Sequence, residues 1–182
     1  MKADLLSGRL LPNERVLWSG RPGQGLLLSR RDVFLIPFSL LWCGFAVFWE
    51  TGVVSGKDAP AFFIFWGAMF VCIGLYFVFG RFLVDAWVRR GMFYAITNQR
   101  VLISRSPPFG KFTTLALAQI ADVDLHERSD GRGDISFGKA ASMWGRQNMG
   151  LWSPALDSVP QFLMIDGARG VFDLIQKEAV RQ

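Results

Sequence analysis

VFLIPFSLLWCGFAVFWETGVV, residues 33–54, and AFFIFWGAMFVCIGLYFVFG, residues 61–80, are two long apolar stretches separated by a short polar break. As a helix, the uninterrupted run from Val33 to Trp49 is about 26 Å long at ~1.5 Å per residue. Continued to Val54, it matches a bilayer hydrocarbon core of roughly 30 Å. The second stretch contains no charged residue and gives a similar length. The pattern predicts a two-helix transmembrane hairpin, with helix 1 over 33–54, an external loop over 55–60 and helix 2 starting at residue 61.

The flanks set the orientation. Residues 1–32 carry six basic side chains against three acidic ones, and Arg81, Arg89 and Arg90 follow the second stretch with only Asp85 between them. By the positive-inside rule both ends lie in the cytoplasm and the break faces out. Arg30, Arg31, Arg81, Arg89 and Arg90 then form a basic collar suited to an anionic leaflet. Basic residues placed beside the membrane need no nucleic-acid partner to explain them. A cleavable signal peptide does not fit a stretch that starts after residue 30 with no small-residue cleavage pattern behind it.

Within the spans, Pro37 belongs in the opening turns or at a mild kink. Trp49 suits the outer interface, and Gly44, Gly67 and Gly74 allow close helix contact. Cys43 and Cys72, one per stretch, are read as small buried hydrophobes. No ionisable group sits centrally in either span, and such groups are what mark ion or proton routes.

The second helix is expected to run on past Gly80. Arg81, Asp85 and Arg89 recur at helical spacing, with Phe82, Leu83, Ala86 and Trp87 on the opposing face. This predicts a cytoplasmic stalk, helix 2 spanning 61–90 in all, ended by Gly91.

From residue 91 to 182 the texture becomes that of a β domain. Phe93–Ile96 and Val101–Ser104 flank a turn at Thr97-Asn-Gln-Arg100, where Asn98 tolerates positive φ. Further strands are expected at Phe112–Leu117, Val123–Glu127, Ile135–Phe137 and Gln161–Ile165, with a turn at Asp130-Gly-Arg-Gly133. Ala168–Val180 has an apolar face of Ala168, Val171, Phe172, Ile175 and Ala179, a closing helix. Antiparallel strands capped by one helix make an α+β plan. Earlier in the chain, Val16–Trp18 is a short strand candidate. It either pairs with the β domain or lies along the membrane.

The run Tyr94-Ala-Ile-Thr-Asn-Gln-Arg-Val-Leu-Ile103, directly after a membrane helix, resembles the bacterial pleckstrin-homology-like (PH-like) domains of small membrane proteins. Glu14-Arg-Val-Leu-Trp-Ser-Gly-Arg-Pro22 is similar to that family's N-terminal segment. The resemblance covers residues 92–180 of the soluble part. It implies a PH-like antiparallel β-barrel or sandwich with a C-terminal capping helix, used for binding or assembly at the bacterial inner membrane. Eukaryotic relatives bind phosphoinositides through a basic loop between the first two strands. Asn98, Gln99 and Arg100 do not reproduce such a loop.

Chemistry is sparse. Asp122, Asp124 and His126 alternate along one strand and share a face. They are either a polar edge or three metal ligands. No Walker loop, HExxH, dinucleotide fingerprint or GxSxG elbow occurs, and no cofactor is implied. The loop over 138–158 carries Met143, Trp144, Arg146, Met149 and Trp152. Exposed Met and Trp suit docking onto lipid or a partner; the alternative is that these side chains fold back as a lid on an open barrel. The expectation is a non-enzymatic membrane module that contacts a protein partner, a second copy or lipid headgroups. A metal-dependent enzyme or factor using Asp122, Asp124 and His126, and a small oligomeric transporter subunit, are the alternatives.

Overall fold

A computed structural model describes residues 8–29, 31–56, 59–120, 122–138, 153–157 and 159–181. Two antiparallel sheets, a C-terminal helix and two long apolar helices make up an α+β architecture.

The first sheet has the order β1 (Val16–Gly20), β2 (Met92–Thr97), β3 (Arg100–Arg105) and β4 (Lys111–Ala116). β1 precedes both long helices yet pairs antiparallel with β2, Val16 opposite Thr97 and Gly20 opposite Tyr94. Within residues 14–22, Val16–Gly20 is thus held in the sheet, and the connection between its first two strands contains the entire helical hairpin. The turn at Asn98 joins the second and third strands instead. Asn98 does not use positive φ. Its Oδ1 accepts the Arg15 N–H at 2.8 Å, clamping the segment ahead of β1.

The second sheet is β5 (Val123–Glu127), β6 (Arg132–Phe137) and β7 (Gln161–Asp166). Gly131, at φ 75°, makes the β5–β6 turn that an L side chain would strain. The pairing slips between Gly133 and Ile135. There Met164 takes φ 47°, and its N–H is satisfied by Asp134 Oδ1 at 2.7 Å.

Both sheets face one core, closed by a helix at Ala168–Val180 that buries Ala168, Val171 and Ile175. Phe162 sits at its centre. It stacks on Tyr94 of the first sheet at 4.5 Å, meets Phe137 edge-on at 5.1 Å and lies 5.6 Å from Trp18 of β1. Burial pushes the Tyr94 phenol well above its ordinary pKa, so it stays neutral, and its oxygen accepts the Leu163 N–H. Among the described residues no strand pairing joins the two sheets, so the closed form of the expected barrel is not found.

The helices α1 (Asp32–Val54), α2 (Ala61–Leu75) and α3 (Arg81–Arg90) complete the chain, with the C-terminal helix as α4. A π turn at Tyr76–Gly80 joins α2 to α3, so the helix is continuous from Ala61 to Arg90. Both long helices have the length and composition to cross a membrane, and only 22% and 11% of their most apolar windows is buried. Gly67 and Gly74 are where they meet. A Cβ on Gly74 would come within 3.0 Å of the Cys43 Cα, and one on Gly67 would collide with Glu50. Gly44 has nothing within 4 Å and takes no part in that contact.

On α3 the faces are the reverse of a soluble stalk. Arg81, Asp85 and Arg89 are buried, whereas Leu83 and Trp87 are 71% and 53% exposed. The wider π turn rotates α3 relative to α2, and the charged stripe finds its partners inside the protein.

Candidate functional site

Two charge clusters border the junction between helices and sheets. The first is closed. Arg89 Nε donates to Asp85 Oδ2 at 2.7 Å, one turn earlier, and its Nη atoms donate to the Gly23 and Gly25 carbonyls. Asp85 Oδ1 accepts the Ser153 hydroxyl and the Ala155 N–H at 2.8 and 2.9 Å. Three stretches distant in sequence thus converge on one buried pair. Arg81 pairs with Asp32 at 2.7 Å, both buried. Of the expected collar, therefore, Arg31 and Arg90 lie at the surface, while Arg81 and Arg89 are buried in ion pairs inside the protein. Arg31 lies 3.6 Å from Asp157.

The second cluster is open. A cavity of about 490 Å³ lies where α3 enters the first sheet, and Arg9, Arg21, Arg90, Arg105 and Lys111 line it with no carboxylate among the lining residues. Strand register explains the convergence. Met92 stands opposite Arg105, and Arg105 opposite Lys111, so the end of α3 and both ends of the β3–β4 loop share one edge. Arg21 arrives there because β1 ends opposite Tyr94. Gly91 turns the chain at φ −88°, an ordinary value, so glycine serves space rather than conformation: a Cβ would press within 2.9 Å of the Ser106 Cβ. The Ser106 N–H donates to the Gly91 carbonyl at 2.9 Å and fixes that edge.

Among the described residues none of these five cations has an acidic partner within ion-pair distance. Among the described residues Arg105 Nε is buried without a hydrogen-bond partner, and burial pushes its guanidinium below the ordinary arginine pKa. The Arg9 guanidinium lies over the Phe112 ring, 4.5 Å from its centre, which holds it at the rim. Several cations held without counter-charge raise one another's energy, and a multiply charged anion relieves it. Guanidinium forks match phosphate oxygens in two-bond geometry. Arg9, Arg21, Arg105 and Lys111 escape attention in the sequence because four separate segments supply them. The legible signal is strand register, which sets residues 92, 105 and 111 side by side in an antiparallel meander.

The Asp122, Asp124 and His126 set does not form a centre. Asp122 borders a groove beside β4, whereas His126 lines a different cavity with Arg31, Arg128 and Asp134. Among the described residues no group of three His, Cys, Asp or Glu side chains could hold a metal ion. Arg30, Met143, Trp144, Arg146, Met149 and Trp152 lie outside the described residues. No protein-family model, curated protein or solved structure matches the chain.

Proposed function

We propose that this chain is a membrane-anchored, non-enzymatic binding module whose α+β domain, PH-like in plan, holds a phosphate-class anion at the cytoplasmic face of a bacterial inner membrane. The observation that carries the reading is the cavity lined by five cations, none with an acidic partner among the described residues, at the foot of a helix long enough to span a bilayer. Supporting it, the hairpin surface is apolar and uncovered, with Phe34, Phe48 and Phe65 each more than 75% exposed. A soluble core helix would bury such side chains. β1 and β2 are hydrogen-bonded neighbours, so a spanning hairpin leaves and re-enters on one side and the domain cannot straddle the membrane. Four strands in one sheet, three in the other and a closing helix are consistent with the PH-like resemblance.

The test uses the full chain in a neutral detergent, titrated with inorganic phosphate and with glycerol 3-phosphate and followed by phosphorus NMR. The wild type binds both, with affinity falling as salt rises. Arg105→Gln combined with Lys111→Gln weakens binding about tenfold or more, corresponding to about 1.4 kcal/mol. Equal binding by this variant and the wild type refutes the pocket assignment.

A further inference from the structure

We infer that the partner of this domain is the leaflet that anchors it: the outward face of α3 and the tip of the β3–β4 loop lie in the headgroup layer, and the basic cavity opens onto a phospholipid of the same membrane. This rests on the reading of the hairpin as membrane-spanning and of the cavity as an anion site, and it names the source of the anion.

Three observations carry it. First, the face of α3 turned away from the protein is apolar, with Leu83 and Trp87 one turn apart and exposed. The opposite face is occupied by the buried Arg81–Asp85–Arg89 stripe. A helix in water would present these faces the other way round.

Second, length places that face at the membrane boundary. Residues 61–80 fill a core of roughly 30 Å at ~1.5 Å per residue. Leu83 then stands about 5 Å past the core edge and Trp87 about 10 Å past it, against a headgroup layer some 5–8 Å deep. Helical side chains point back toward the helix N-terminus, which here is toward the bilayer. The Trp87 ring therefore reaches into the layer where amphipathic indoles settle.

Third, the β3–β4 loop joins the same surface. Phe109 meets Trp87 edge-on at 6.4 Å and is 39% exposed. Pro107 and Gly110 of that loop line the basic cavity with Arg90 and Lys111. Aromatic side chains and the cations of the cavity thus open on adjoining ground, an arrangement complementary to lipid phosphates above acyl chains. A free phosphate in the cytoplasm would need the cations alone.

The measurement is depth-dependent quenching in nanodiscs of phosphatidylethanolamine and phosphatidylglycerol. Cys43 and Cys72 are replaced by alanine, and single cysteines introduced by Phe109→Cys or Leu83→Cys carry a bimane. Val180→Cys, 88% exposed on α4, serves as the aqueous reference, and Phe45→Cys, 66% exposed on α1, as the bilayer reference. A lipid spin-labelled at its headgroup is expected to quench the residue 109 and residue 83 labels several-fold more than the residue 180 label, with iodide showing the reverse order. Labels at 109 and 83 that respond to both quenchers as the residue 180 label does overturn the inference. The anchor and pocket are read separately: a residue 45 label that iodide quenches and that a lipid spin-labelled in its acyl chain does not would refute the span, and absence of phosphate binding in detergent would refute the anion site.

Discussion

Arg81 Nη1 lies 2.7 Å from Asp32 Oδ1, so the first residue of α3 is ion-paired to the first residue of α1 with both side chains almost out of contact with solvent. Asp32 also accepts the Ser29 N–H and hydroxyl. Arg81 lies over the Phe82 ring at 4.3 Å, and its Nε and Nη2 have no hydrogen-bond partner among the described residues. The pair fixes the register of the two long helices where they meet the domain. Removing one member leaves the other as an uncompensated buried charge, a cost of about 3–5 kcal/mol. Arg81→Met is therefore expected to lower the thermal midpoint in detergent sharply, and Arg81→Met with Asp32→Asn to recover much of the loss. A double variant as unstable as the single one would refute the pairing.

Asp85 and Arg89 gather residues 23–25, α3 and residues 153–155 into one buried network. Asp85→Asn keeps the shape but removes the charge opposite Arg89, so a loss of about 3 kcal/mol or more is expected. The released segments should show first in proteolysis, with cleavage rising near Gly25 and Ser153 while the hairpin stays protected by detergent. Uniform cleavage along the chain would mean that the network does not tie these segments together.

The sequence carried the elements with local signals and missed the associations made at a distance. Val123–Glu127 and Ala168–Val180 coincide with the expected strand and helix because period-two and helical apolar spacing are local properties. The pairing of β1 with β2 crosses the whole hairpin, and no local pattern encodes that contact. The stripe at Arg81, Asp85 and Arg89 was legible as a face. Its inward direction depends on backbone carbonyls at Gly23 and Gly25 that only folding supplies. The basic cavity was hidden for the same reason: its cations are adjacent only once β2, β3 and β4 are in register.

Gly74 sits against the Cα, Cβ and Sγ of Cys43, each about 3.0–3.1 Å from where its own Cβ would be. A large side chain there must push the helices apart, and overpacking of this kind costs about 1–3 kcal/mol. Gly74→Leu is expected to lower the thermal midpoint of the detergent-solubilised protein. Gly44→Leu, with open space around it, should leave it nearly unchanged. Equal effects at the two positions would place the helix contact elsewhere.

Glu14 makes stability depend on acid in a definite direction. Burial pushes its carboxyl up, but hydrogen bonds from Arg100, the Leu11 N–H and the Thr97 hydroxyl outweigh it and hold the carboxyl below its ordinary value. The Arg100 Nε and Nη2 contacts are 2.8 and 3.0 Å, and the Thr97 contact is 2.8 Å. A carboxyl depressed in the folded state binds its proton less tightly there than when unfolded. Its contribution is therefore complete above the unfolded pKa and disappears as pH falls through the folded one. Hydrogen bonds to a charged group contribute about 1.5–3 kcal/mol, so Glu14→Gln should be less stable than the wild type at neutral pH by an amount of that order. Below about pH 4 the difference should shrink as the wild-type carboxyl protonates. Thermal midpoints of the two proteins across this range give the measurement. A gap that stays constant into acid would show that the ionised carboxylate of Glu14 is not what holds the Arg100 turn to the segment ahead of β1.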